Sequence, residues 1–107
     1  MSVAGQIRLT LDGRKLVLAS AVGPSAAVSV SPGTYATVTL ALQNTTIKPH
    51  QILGVLQING VQSAAGLVLA GYTVSGFNVD VIVYNPTSST PSISANAISA
   101  IVLLEGW

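Results

Sequence analysis

A chain of 107 residues in which half the side chains are apolar and only 7% are charged has room for one domain and little material for acid–base chemistry. Soluble domains usually carry about 25% charged residues, so the low charge favours a protein that covers much of its surface in an assembly. The net charge of +1 excludes a strong field for nucleic acid or an anionic membrane, and the absence of cysteine excludes a disulfide framework.

Short segments rich in Val, Ile and Thr alternate with turns of Gly, Pro, Asn and Ser about every ten residues, which is typical of small all-β domains. In the first segment Ile7, Leu9 and Leu11 alternate with polar neighbours and predict a half-buried strand. Asp12-Gly13 then predicts a hairpin turn, because glycine adopts a positive φ at low cost. The strands predicted in the first half of the chain are residues 6–11, 15–22, 26–30, 35–42 and 52–58.

The second half of the chain is less uniform. Residues 61–70 are compatible with a turn of helix or with a loop and a strand, and Gly66 and Gly71 favour the loop and strand. Residues 78–84 are apolar on both faces, which predicts a central strand or one covered by a neighbouring subunit. The strands predicted here are residues 72–77, 78–84 and 98–104, the last of them entered through residues 92–97.

These segments predict an all-β fold: a single compact antiparallel β-sandwich of about eight strands, jelly-roll-like, over residues 1–107. Residues 1–4 are expected to form a flexible N-terminal arm of this domain. The first residues lack a basic region followed by an apolar one, and no apolar stretch approaches the roughly 20 residues that span a bilayer. We therefore expect neither a signal peptide nor a transmembrane segment.

The few ionisable residues give no pattern for catalysis. Asp80 lies in a predicted strand and is the one carboxylate with a chance of burial, but a solvent-facing or arginine-paired aspartate is the simpler interpretation. His50 follows Lys48-Pro49 in a polar loop and has no partner motif, so a solvated side chain is expected. One histidine, no cysteine and three scattered carboxylates are too few for a metal site. We expect no enzyme activity, no cofactor and no metal.

The aromatic residues also favour structure over ligand binding, with one exception. The five of them are spread along the chain and form no stacking platform in the sequence, so most are expected in the core. Trp107 differs because it is the last residue and follows an apolar run. Tryptophan is enriched at interface anchors, and its docking on its own domain or on a neighbour remains open.

One part of the chain resembles a known group of proteins. The pattern is a strand, Asn78-Val-Asp-Val-Ile-Val-Tyr84, then Asn85-Pro86-Thr87, a Ser/Thr loop, and a return strand, Ile98-Ser-Ala-Ile-Val-Leu-Leu104. This quarter of the chain is similar to small β-structured virion proteins of tailed bacteriophages. The resemblance implies a capsid decoration (cement) protein or a tail component, often trimeric and without enzyme activity.

We therefore expect a virion structural protein, made in the host cytoplasm, that self-associates, with a trimer favoured. The implied partner is the major capsid protein or another virion protein, with no nucleic acid and no membrane. The alternative is a carbohydrate- or receptor-binding module of a phage tail or a cell-surface adhesin, which would use loops at one end of the sandwich. The candidate interface residues are Met1, Ser2, Val3, Ala4, Asn85, Pro86, Thr87, Pro91 and Trp107.

Overall fold

The computed structural model describes residues 13–43, 45–64 and 66–107, and confirms the all-β class. Strands form most of the described chain, and a 3-10 turn at Val61–Ser63 joins the fourth strand to the fifth. The strands are β1 (Lys15–Gly23), β2 (Val28–Ser29), β3 (Tyr35–Leu42), β4 (Pro49–Asn59), β5 (Val68–Ser75), β6 (Asn78–Tyr84), β7 (Ser92–Ile93) and β8 (Ile98–Gly106). No helix in these ranges is long and apolar enough to cross a membrane.

Six of the strands belong to one antiparallel sheet, in the order β4-β8-β1-β3-β6-β5, and β2 pairs with β7 in a small second sheet. β1 pairs with β8 along its whole length but meets β3 in register only at Ala21 and Val22. The large sheet therefore has two three-stranded halves, β4-β8-β1 and β3-β6-β5, joined at this short contact. It curls until β4 and β5 flank one groove, so that the sheet is nearly closed.

The core lies inside this curl and follows from the alternation of apolar residues along the strands. Successive side chains of a strand point to opposite faces of the sheet, so every second residue of a strand enters the core. Each fully buried aliphatic side chain contributes about 1.5–3 kcal/mol relative to an exposed one. The fully enclosed apolar strand residues are Ala21 of β1, Val38 and Leu40 of β3, Val79, Val81 and Val83 of β6, Ile93 of β7, and Ile98, Ala100, Val102 and Leu104 of β8.

Several sequence predictions agree closely with these elements. The bounds of β3 and β6 are as predicted, and β6 is a central strand between β3 and β5. Of the alternatives for residues 61–70, a turn of 3-10 helix is present at Val61–Ser63 and a strand begins at Val68. The predicted strand at residues 6–11 and the arm at residues 1–4 lie outside the described residues. The two-layer jelly-roll arrangement stays a prediction, because six strands share one curled sheet.

The prediction was wrong at the start of β4. The polar loop was expected to run to His50, but β4 begins at Pro49 and includes His50. Proline is tolerated at the first residue of an edge strand, where its missing N–H removes no ladder hydrogen bond. His50 is therefore a strand residue beside the end of β8, although its side chain is exposed, as expected.

Candidate interaction surface

A polar cluster lies where β1, β8 and β4 meet at the C-terminal end of the chain, and its centre is Glu105. This carboxylate is buried, at 2% exposure. Its Oε1 accepts hydrogen bonds from Arg14 Nη1 at 3.1 Å and from Gln51 Nε2 at 3.0 Å. His50 Nε2 is 3.9 Å from the same oxygen. We call Arg14, His50, Gln51, Glu105 and Trp107 the Glu105 cluster.

Trp107, like His50 and Gln51, is an exposed member of this cluster. Two backbone hydrogen bonds fix it, from Lys48 N to its oxygen at 2.7 Å and from its N to Lys48 O at 3.0 Å. Gly106 permits this approach, since a Cβ there would collide with the carbonyl oxygen of Lys48. Trp107 thus docks on its own domain, which is one of the two alternatives left open by the sequence.

The aromatic environment of Trp107 differs from the sequence expectation. The Arg14 guanidinium lies 5.1 Å from the centre of the indole ring, within cation–π range. The His50 ring meets it edge-on, with the ring centres 5.0 Å apart. Trp107 remains 49% exposed. The expectation that most aromatic residues lie in the core was wrong, because Tyr35, Tyr72, Phe77 and Trp107 are each at least 44% exposed.

The cluster is organised to hold strands together. One oxygen of Glu105 already receives two donors, one from the segment entering β1 and one from β4, so it links three neighbouring strands. Asp80 does not join the cluster: on the outer face of the sheet, its Oδ1 accepts a hydrogen bond of 2.8 Å from Thr39. His50 and Arg14 therefore meet a different carboxylate from the one that the sequence singled out.

The loop at residues 85–91 has a buried centre and an exposed rim. Asn85 is completely buried, and its side chain makes four hydrogen bonds. Its Nδ2 donates to the carbonyl oxygens of Val30 and Ser89, and its Oδ1 accepts from the N–H and hydroxyl of Thr87. Of the predicted interface residues in this loop, Asn85 holds the loop in place and presents no surface. Pro86 is exposed, and Thr87 and Pro91 are half-buried.

The most informative surface lies on β5, where the core face of the sheet is left uncovered. Leu69, Tyr72 and Val74 are opposite Val83, Val81 and Val79 of β6 in register and so share their face. The three valines are fully buried, whereas Leu69 and Tyr72 are each 46% exposed and Val74 is 40% exposed. We call Leu69, Tyr72 and Val74 the β5 core face. Among the described residues, nothing buries these three side chains as completely as the valines of β6.

An apolar groove runs between this face and β4. Its cavity of about 180 Å³ is lined chiefly by Val55, Leu56 and Ile58 of β4 and by Leu69 and Tyr72 of β5. A second groove of about 390 Å³, at the end of β4, is lined in part by Leu69 as well. Contiguous exposed apolar surface of this kind marks interaction sites in soluble proteins.

The two terminal strands of the large sheet differ in regularity. β4 has eleven residues, and only eight of them pair in register with β8. The three residues skipped by the register are His50, Leu53 and Leu56, each at a bulge or irregularity. β5 has a single irregularity, at Ala70, and residues 71–75 then remain in uninterrupted register with β6. Bulges disrupt an edge and discourage further strand pairing, so β4 is a poor template and β5 a good one.

Comparison with models of protein families, with curated proteins and with solved structures finds no match to this chain. Neither the Glu105 cluster nor the β5 core face was predicted from the sequence. Arg14 and Glu105 of the cluster are 91 positions apart in the chain. The exposure of β5 follows from its position at one end of the sheet order, which no short segment of the sequence reveals.

Proposed function

We propose that this chain is a non-enzymatic structural protein of a bacteriophage particle, a capsid decoration (cement) protein that self-associates and binds the particle surface. The observation that supports this most strongly is the β5 core face, an apolar surface continuous with the core and open to solvent in the single chain. Covering such side chains with another protein is favourable by roughly 25 cal/mol for each Å² removed from water.

The chemistry of the ionisable groups is consistent with a structural role. A general base needs a free acceptor within reach of a substrate proton. The buried oxygen of Glu105 instead accepts hydrogen bonds from Arg14 and Gln51, both from its own chain. In this proposal the cluster that most resembles a catalytic arrangement joins strands.

A particle supplies the energetic setting in which a small domain of this kind functions. Many copies on a lattice convert individually weak contacts into stable attachment, because each further contact forms at a high effective concentration. Binding to the assembled shell then stabilises the shell by mass action. The partner in this proposal is the major capsid protein or another virion protein, and the self-associated form favoured by the resemblance is a trimer.

Quantitative mass spectrometry of gradient-purified particles from an infected host tests this proposal. A decoration protein is expected at a copy number comparable to that of the major capsid protein. Immunogold electron microscopy with antibodies to the chain then separates the shell from the tail. Absence of the chain from purified particles, in a host that produces it, would contradict the proposal.

A second candidate function is a carbohydrate- or receptor-binding module of a phage tail or an adhesin, and the exposed ring of Trp107 favours it. An aromatic face beside the polar groups of Arg14, His50 and Gln51 offers stacking and hydrogen bonding together. Glycan-array binding by the wild type that disappears in Trp107→Ala would support this candidate. No glycan binding by the wild type would contradict it.

A further inference from the structure

The two terminal strands of the large sheet, β4 and β5, differ in how well their edges are protected against pairing with another strand. β4 begins with a proline and leaves the register of β8 at three places. β5 contains no proline and no charged residue, and its last five residues form a regular ladder with β6. Natural proteins protect exposed edges with bulges, prolines, charges or short strands. β4 has such protection, whereas β5, eight residues long, has almost none within the part of the chain that the structure describes.

An unprotected edge accepts another strand, and the sequence of β5 is suited to a second β5. In antiparallel pairing about a two-fold axis, a segment meets itself in reverse order. If the axis passes through the middle of residues 71–75, Thr73 faces Thr73 of the second copy. Tyr72 then faces Val74 of the second copy, on the face that carries the β5 core face. Threonine pairs and aromatic pairs with β-branched residues are favourable cross-strand neighbours.

We propose that two copies of this chain join by antiparallel pairing of their β5 strands, with Thr73 at the two-fold axis. The core faces of the two β5 strands become adjacent, so Leu69, Tyr72 and Val74 of both copies form one apolar surface. The inference deepens the proposed function, on whose self-association it rests, by naming the strand and the register. Two-fold pairs of this kind are compatible with larger assemblies, since other surfaces of each copy remain available.

The register centred on Thr73 is the one that the strand itself favours. A centre nearer Val68 would bring the irregularity at Ala70 into the new ladder, and a centre nearer Ser75 would bring in the turn at Gly76. Charge does not oppose the pairing. Among the described residues, the charged side chain next to β5 is that of Asp80, which lies opposite Thr73 on β6. The two copies of Asp80 are three strand spacings apart, about 14 Å, which exceeds the screening length of about 8 Å at physiological salt.

Disulfide trapping tests this geometry directly, because the natural chain has no cysteine. Thr73→Cys places one thiol at the proposed axis, where facing Cα atoms in an antiparallel pair lie about 4.5–5.5 Å apart. That separation falls within the range that a disulfide bridges. The matched control is Thr37→Cys, an equally exposed threonine on the outer face of β3. Both variants are oxidised mildly as full chains and separated on non-reducing gels, and the wild type is sedimented in parallel.

The inference is supported if Thr73→Cys is captured mostly as a dimer, at about twice the chain mass of 10.8 kDa, while Thr37→Cys stays single. It is overturned if the two variants cross-link equally, or if neither does. When the wild type sediments as an oligomer but Thr73→Cys fails to cross-link, the proposed self-association stands and the β5 pairing is wrong. A wild type that stays monomeric contradicts both.

Discussion

Arg14 and Glu105, 91 residues apart in the chain, form an ion pair of 3.1 Å at the end of the sheet where β1, β8 and β4 meet. Glu105 is buried and Arg14 is about one-third exposed. Gln51 donates a second hydrogen bond to the same oxygen. Two of the chain's few charges are thus used to fix the terminus that carries Trp107.

Glu105→Gln is expected to lower the free energy of unfolding by roughly 2–4 kcal/mol, since a buried charge pair loses one partner and Arg14 keeps its charge. Urea denaturation measures the loss. The control is Asp80→Asn, a carboxylate with one hydrogen bond from an exposed threonine, for which less than about 1 kcal/mol is expected. Equal losses of unfolding free energy in the two variants would show that the Arg14–Glu105 ion pair contributes no more to stability than the single hydrogen bond of Asp80.

Gly106→Ala is expected to cost roughly 2–3 kcal/mol, because the new methyl group has no space beside the Lys48 carbonyl. It should also change the fluorescence of Trp107, the one tryptophan of the chain, by disturbing the two backbone hydrogen bonds to Lys48. Gly54→Ala is the matched strand control, with open space around its Cβ. If both variants unfold at the wild-type temperature, the close approach at Gly106 is not required.

Asn85→Asp is expected to lower the free energy of unfolding by roughly 3 kcal/mol. The substitution replaces the donor Nδ2 with a charged oxygen facing the carbonyl oxygens of Val30 and Ser89. Asn78→Asp makes the same chemical change at an exposed residue of β6 and should alter stability little. Chemical denaturation compares the pair. A tolerated Asn85→Asp would indicate that the loop does not depend on this side chain.

Tyr72→Ser is expected to weaken self-association by about tenfold or more, because it removes the largest side chain of the β5 core face. Tyr35→Ser is the control with the same substitution on the outer face of β3, where the tyrosine is 67% exposed. Concentration series by light scattering give the two dissociation constants. A control that weakens association equally would move the interface away from β5.

Local patterns were sufficient for much of the fold. β3 and β6 alternate without interruption, so period-two reasoning gave their bounds directly. The bounds of β4 were harder to predict. Its three irregularities add an extra residue about every third position and so interrupt the period of two. The first residue of β5 was not predicted, although a strand was favoured within residues 61–70, since small residues and glycines at 64–71 weaken any periodic signal.

The candidate interaction surface was harder to predict from the sequence than the strands were, for a physical reason. The Glu105 cluster depends on β1 and β4 flanking β8, which is a property of strand order and not of any short segment. Asn85-Pro86-Thr87 was interpreted as a contact loop, but the amide of Asn85 is fully used inside the domain. An Asn that caps a surface turn and one buried beneath it have the same local sequence.

Sedimentation velocity of the full chain, from micromolar concentrations to about 1 mM, tests the central claim most directly, since even a contact of only about 4 kcal/mol becomes populated in that range. Because the β5 core face is open in the single chain, the account predicts a mass that rises with concentration to a dimer or a higher oligomer. One species of 10.8 kDa throughout the series would contradict it.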